Sequence, residues 1–162
     1  MPQGGSSKGL EAVRKFISER GVEAEILEFS DTVESVEAAS RASGYPPDRI
    51  LKTLIVKGDS EYYAVIIRGD RKLNLKKLAE RLGLKDVRLA RPSEIRELLG
   101  VGPGEVSPLM EGISKLHVLV DSSVLTIEGD VLVGGGTLRH LVRITPHELL
   151  RALSPSILDV SS

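Results

Sequence analysis

The chain contains no cysteine. Disulfides, thiolate metal sites and a cysteine nucleophile are therefore excluded. Only three histidines occur, His117, His140 and His147. They lie far apart and lack the spacing of metal ligands, so a metal site would have to be built from carboxylates alone, and no pattern points to one. Long apolar runs are also missing. The longest, such as Ala64 to Ile67 and Val118 to Val120, are far too short to span a bilayer. The N-terminal MPQGGSSKG has no apolar core for a signal peptide and reads as a short disordered lead over residues 1–7, so the cytoplasm is the expected compartment. Nor is there an excess of charge of one sign. A formal net charge of −1 argues against broad, charge-driven binding of nucleic acid. It leaves room for a local basic surface, with Lys8, Arg14 and Lys15 in one cluster and Arg68, Arg71, Lys72, Lys76 and Lys77 in another. Such clusters are more often solvated helix faces.

What is present is the composition of an ordinary globular protein, 41% hydrophobic and 28% charged over 162 residues. A chain of this length buries about two-thirds of its unfolded surface and fits a single domain, expected over residues 8–162. Leu10, Val13, Phe16 and Ile17 mark one face of a helix over 8–20, with Gly21 as its C-terminal cap. A short strand is predicted at 24–29. Asp31-Thr32 offers capping oxygens, with Glu34 closing a capping box, for a helix from Val36 to Ala42. Strands at 50–57 and 61–68 flank Gly58-Asp59-Ser60, a hairpin signature. Asn74 caps a helix to Arg81, a strand follows at 86–90, and Ser93 caps a helix ending near Leu99. Strands near 116–121, 131–133 and 138–144 precede a last helix introduced by Thr145-Pro146-His147-Glu148. Hairpins mixed with helices in this way predict an α+β fold with a mostly antiparallel, barrel-like sheet.

Three features carry chemistry. Lys52 shares a strand face with Ile50, Leu54 and Val56, while Leu51, Thr53 and Ile55 make the other face largely apolar too. A lysine on a strand covered from both sides must find a partner, snorkel to the rim or face a cleft. In a cleft, its ammonium suits phosphate or developing oxyanion charge. The loop Gly100-Val101-Gly102-Pro103-Gly104, continuing to Ser107-Pro108, can present backbone N–H groups to an anion or carbonyl, or can simply connect elements. It has neither the dinucleotide-binding spacing nor the phosphate-loop Gly-Lys-Ser/Thr. Gly134-Gly135-Gly136 reads as a tight turn or as a wall where a ligand approaches backbone, with His140 in the strand that follows. Asp121 ends an apolar run and either caps the next segment or points into a cleft. No Ser-His-Asp arrangement is recognisable.

Thr32-Val33-Glu34 stands before a helix, and Ile50-Leu51-Lys52-Thr53-Leu54-Ile55-Val56-Lys57 follows. Next come Arg68-Gly69-Asp70-Arg71-Lys72-Leu73-Asn74 through Lys77-Leu78, the glycine-proline loop 100–104 with Val106-Ser107-Pro108, and Val120-Asp121-Ser122-Ser123-Val124. In this order and spacing they resemble the YbaK family of aminoacyl-tRNA deacylases, which includes the editing domain inserted in bacterial prolyl-tRNA synthetases. The resemblance covers residues 22–153. It implies hydrolysis of the ester joining an amino acid to the terminal ribose of tRNA, by water and without metal or cofactor. It implies mischarged tRNA, alanyl- or cysteinyl-tRNA for proline, as the partner engaged by its 3′ aminoacyl end, and prolyl-tRNA synthetase as a second partner. By the same resemblance Lys52, Gly102 and Gly104 are the catalytic positions, Lys52 anchoring the terminal nucleotide's phosphate backbone. Thr32, Val33, Thr53, Gly100, Val101, Pro103, Ser107, Asp121, Gly134, Gly135 and His140 are the substrate-binding ones. One departure is visible: the turn before His140 is one residue shorter than in the synthetase domains, and Gly136 stands where they have asparagine. The chain carries no synthetase body and is expected to act as a free-standing factor. The alternatives are a non-catalytic module of the same fold that docks an RNA end or a synthetase, and an esterase for another small aminoacyl ester.

Overall fold

The computed structural model describes residues 4–162, with side chains from Lys8 onward. The start of the expected disordered lead, Met1–Gln3, lies outside the described residues, but the backbone is helical from Gly4 rather than from residue 8. The elements in order are α1 (Gly4–Arg20), β1 (Glu25–Glu28), α2 (Val36–Ser43), β2 (Leu51–Gly58), β3 (Glu61–Arg68), α3 (Leu75–Leu82) and β4 (Val87–Leu89). There follow α4 (Pro92–Leu99), α5 (Glu111–Ser114), β5 (His117–Asp121), β6 (Val131–Gly134), β7 (His140–Ile144), α6 (Pro146–Leu153) and β8 (Ser156–Leu158). Short 3-10 turns occupy Pro47–Arg49, Pro103–Glu105 and Ser122–Thr126. No helix among the described residues is long and apolar enough to cross a membrane.

The local chemistry of the helix starts explains most boundaries. Asn74 Oδ1 accepts the Lys77 N–H at 3.0 Å and Thr145 Oγ1 accepts that of Glu148 at 3.1 Å, both as predicted. Helix α2 is capped differently, by Ser35, whose Oγ accepts the Ala38 N–H at 3.0 Å. Asp31 and Thr32 cannot cap it because their segment is tied elsewhere. The Phe29 N–H donates to the Arg139 carbonyl (2.8 Å) and the Val33 N–H to that of Leu138 (2.7 Å), which places the start of the helix beyond them. Helix α4 starts one residue before the expected cap Ser93, with Pro92 as its first residue and the Glu94 carboxylate accepting the Arg91 N–H at 2.7 Å.

The barrel-like expectation resolves into two sheets that do not close on themselves. One is antiparallel in the order β1-β7-β6; the other runs β4-β2-β3-β5-β8. The second sheet is antiparallel across β4-β2-β3 and parallel across β3-β5-β8, and β8 is a strand the pattern did not announce. A single parallel bridge, Ile50 to Leu132, joins the two sheets at a corner. Strands β2 and β3 are covered on both faces. Leu51, Ile55, Ala64 and Ile66 face the main core with Val13, Phe16 and Leu149. Val56, Val65 and Ile67, with Leu54 packed against them, meet Leu78 of α3 and Val160. A third, smaller cluster of Val33, Ala39, Ile50, Leu132 and Leu141 lies under α2.

Helix α1 is seated by backbone contact. A Cβ placed on Gly9 would lie 1.8 Å from the carbonyl oxygen of Gly136, so no larger residue fits there without displacing the turn. At the other end of α1, the Glu148 carboxylate receives the Glu23 N–H at 2.6 Å and both Nε and Nη2 of Arg151, at 2.7 and 2.6 Å. Hydrogen bonding from Arg151, then from the Glu23 backbone, holds the Glu148 carboxyl down at about 2.

Two outcomes follow from these contacts. Gly9→Ala should destabilise the chain by about 1–3 kcal/mol through overpacking against main chain, measurable as a lowered midpoint in urea. A carboxyl whose folded-state value is depressed contributes stability above its unfolded value, and that stability is lost as pH falls through the folded value. Thermal unfolding between about pH 4.5 and 2 should therefore be less pH-dependent in Glu148→Gln than in the parent chain. Equal slopes would show that the pair contributes nothing.

Candidate functional site

A cavity of about 260 Å³ opens beside the corner where the two sheets meet. Its apolar floor is the small cluster under α2: Val33, Val36, Ala39, Ile50 and Leu141. Around the floor stand Lys52, Thr53, Glu34, Ser35, Pro103, Gly104, Gly134, Thr137 and His140. The site thus draws on α2, the start of β2, the glycine-proline loop and the turn between β6 and β7.

Five successive residues of β2's approach, Ile50 to Leu54, line the cavity, which a side-chain alternation alone would not allow. The reason is an open edge. The corner bridge engages Ile50, and β4 pairs only with Val56, Lys57 and Gly58. The Gly69 N–H donates to the Ile50 carbonyl (2.7 Å) and the Ala90 N–H to that of Ile55 (2.8 Å), which sets the phase of the strand. Even-numbered residues bond to β3, so the N–H and C=O of Thr53 point along the unpaired edge into the cavity.

Lys52 sits opposite Ile67 in register and is half-buried. Among the described residues no carboxylate lies within ion-pair distance of its ammonium. Burial lowers its pKa from the ordinary lysine value; Asp70 opposes that shift, and Lys72 adds to it. Asp70 is itself held by Arg68 through Nε and Nη2, at 2.6 and 3.0 Å, which leaves it a distant counter-charge rather than a partner for Lys52. The result is a cation with apolar neighbours and no direct partner, facing a cavity.

The glycine turn is a packing device. A Cβ on Gly134 would lie 2.2 Å from the Val106 carbonyl oxygen, so only glycine lets β6 touch the loop that carries Pro103 and Gly104. The other side of the turn rests on Gly9 of α1. The Gly135 N–H donates to the His140 carbonyl at 2.9 Å and closes the turn. Beyond it, 2.6 Å separate Thr137 Oγ1 from His140 Nδ1.

The structure assembles some of the expected site residues and disperses others. Lys52, Thr53, Val33, Pro103, Gly104, Gly134 and His140 line the one cavity. Gly102, Gly100, Val101, Ser107, Asp121, Gly135 and Thr32 do not. Gly102 donates its N–H to Glu105 Oε1 at 2.9 Å, so that group is taken. Gly100 caps α4 in the left-handed region, and Val101 belongs to the main core. Ser107 is fully buried and accepts the Leu109 N–H at 3.1 Å. Thr32 lines a separate surface hollow with Arg41 and Arg139. Asp121 is buried and accepts from Ser123, from the Val160 N–H (2.8 Å) and from the Ser161 hydroxyl (2.8 Å). Burial works against its ionisation, but those hydrogen bonds prevail and keep its pKa below the ordinary value, so its carboxylate anchors the C-terminal segment. Sequence reasoning missed Val36, Ala39 and Thr137. The apolar face of α2 was the available signal for the first two, and a hydroxyl three residues before His140 for the third. No group of three or more His, Asp or Glu side chains among the described residues is placed to hold a metal.

Residues 30–152, which contain every part of this site, match the model of the aminoacyl-tRNA editing domain family. Over 103 residues the chain is 38% identical to the proline–tRNA ligase of Thermotoga maritima, an alignment covering 64% of this chain and 17% of the ligase. It spans about a fifth or less of the length of such ligases. Among solved structures, it is similar to the hypothetical protein APE2540 with 34% identity and a TM-score of 0.84, over 93% of this chain and 99% of the other. It is also similar, with 28% identity and a TM-score of 0.86 over 96% and 98%, to a protein proposed to be a trans-editing enzyme for prolyl tRNA synthetase. With a match over three-quarters of its length that spans the whole cavity, the chain belongs to the aminoacyl-tRNA editing domain family.

Proposed function

We propose that this domain hydrolyses the ester of a mischarged tRNA bearing a small amino acid, alanine or cysteine on tRNA for proline, and does so in trans. The observation that carries the reading is the meeting of an unpaired, half-buried lysine, an open main-chain edge at Thr53 and the Pro103–Gly104 loop over a small apolar floor. Each part has a task. The Lys52 ammonium attracts the phosphate of the terminal nucleotide and positions it, and partial burial strengthens that attraction relative to an exposed lysine. The Thr53 carbonyl and the Glu34 carboxylate are acceptors suited to the substrate's α-ammonium, and the Thr53 N–H is a donor for its carbonyl oxygen. The amino-acid side chain rests on Val33, Val36, Ala39, Ile50 and Leu141, which admit a methyl or thiol-sized group.

In the reaction a water oxygen bonds to the ester carbon, the bond from that carbon to the ribose oxygen breaks, and the water's proton passes to the ribose oxygen. An aminoacyl ester is already activated, so positioning and electrostatic stabilisation suffice, and the scheme needs neither metal nor covalent intermediate. Acting in trans is supported by the similarity to solved chains that this one matches over nearly their whole length. Prolyl-tRNA synthetase is the proposed protein partner, by analogy with its inserted domain. The occupied N–H of Gly102 favours the second reading, a module that binds without turnover, because one expected donor is withdrawn from the site.

A panel of mischarged tRNAs separates the two. Lys52→Ala should slow release of amino acid about 10²-fold or more with the fold intact by circular dichroism. If no tRNA in the panel is hydrolysed faster by the parent chain than by Lys52→Ala, the deacylase reading is wrong. The floor makes a second prediction. Ala39→Leu should reduce release of alanine about tenfold or more, since each added methylene in such a pocket is worth about 1–3 kcal/mol. An unchanged rate would remove Ala39 from the pocket.

A further inference from the structure

Thr137 and His140 stand on the cavity wall, and the hydrogen bond between them has a direction that the surrounding donors decide. Thr137 Oγ1 receives the Arg139 N–H at 3.1 Å, and an N–H only donates. Its other partner, at 2.6 Å, is His140 Nδ1. Among the described residues the hydroxyl has no third partner, so Nδ1 is the one protein acceptor within reach of its own proton. Were Nδ1 instead the protonated nitrogen, the hydroxyl would accept from both of its protein neighbours and its own proton would turn to the cavity, away from any protein acceptor. With Nδ1 accepting, the proton of the neutral imidazole resides on Nε2, which has no protein partner among the described residues.

We infer that Thr137 is a positioning residue that holds His140 as the Nε2–H tautomer, making the imidazole a hydrogen-bond donor to the substrate rather than a proton acceptor. The inference rests on the deacylase reading for its functional consequence. An Nε2–H can hold the ester carbonyl oxygen or a ribose hydroxyl oxygen in place beside the Thr53 edge; it cannot take a proton from the attacking water. The short glycine turn contributes to this. The Gly135 N–H closes on the His140 carbonyl, and Gly136 abuts Gly9, so the four-residue span from Thr137 to His140 is braced at its start and its end. A histidine whose ring is set by one hydroxyl and whose backbone is set by a closed turn is oriented before substrate arrives.

Nitrogen-15 spectra of the His140 ring, assigned against His140→Gln and taken at pH 8.5, above histidine's ordinary titration range, test this directly. Nδ1 should resonate as the unprotonated nitrogen and Nε2 as the protonated one; the reverse pattern overturns the assignment. Thr137→Val should broaden or average these signals and lower turnover of the preferred mischarged tRNA about tenfold to hundredfold, mainly in kcat. Thr137→Ser, which keeps the hydroxyl and its acceptance of the Arg139 N–H, should restore both. If Thr137→Val leaves the ring spectrum and the rate unchanged, or if Thr137→Ser fails to rescue while its unfolding midpoint matches the parent, Thr137 has no positioning role. A parent chain inactive on every mischarged tRNA would overturn the deacylase reading alone, because the ring spectrum still decides the tautomer.

Discussion

The site depends on backbone meeting backbone at the glycine turn. Gly134 touches the carbonyl of Val106 and Gly136 touches Gly9 at separations that exclude any Cβ. Through these contacts the turn fixes the distance between the first helix, the glycine-proline loop and the start of β7. Close packing of this kind transmits small displacements rather than absorbing them. The cavity walls contributed by Gly104, Thr137 and His140 are therefore positioned as a unit, although they come from segments more than thirty residues apart.

The second constraint is electrostatic. A lysine on a doubly covered strand has to be accommodated, and here the sheet stops short to accommodate it. Strand β4 pairs only with the far end of β2, the Ala90 N–H reaches back as far as Ile55, the corner bridge takes Ile50, and the edge at Thr53 between them is left unpaired beside the cavity. The same gap exposes the polar backbone of Thr53 and gives the Lys52 ammonium an outlet. Because Arg68 occupies Asp70, the lysine has no close carboxylate partner, which leaves its ammonium available to an anion from solution.

Much of this was legible in the residues. The β2–β3 hairpin followed from Gly58-Asp59-Ser60, the caps at Asn74 and Thr145 from the reach of their side chains, and the editing-domain family from the order of motifs around Lys52 and the 100–104 loop. These are local signals, each carried by a few consecutive residues. Where the reading failed, a distant segment had intervened. Asp31 and Thr32 lost the α2 cap to Ser35 because residues 138 and 139 hold their strand-like segment. Asp121 does cap the turn that follows it, as one of its two readings had it, but the hydrogen bonds it receives from Val160 and Ser161 come from some forty residues away and no pattern around residue 121 announces them. The parallel pairing of β3, β5 and β8 likewise has no signature in any one strand.

By itself, then, the sequence determined the kinds of element, the lysine that is out of place on its strand, and the family, because each depends on neighbouring side chains and their spacing. It also excluded a cysteine side chain of this chain from any site. Tertiary structure alone decided which of the candidate residues share a cavity. It turned Gly102 inward to Glu105, sent Thr32 to another surface, and buried Ser107 and Asp121 in supporting roles. It brought Val36, Ala39 and Thr137 to the site instead. The physical reason is that a pocket is made of the groups a fold leaves unpaired at one place. Which hydrogen-bonding groups remain unpaired is settled only when every segment has found its partner.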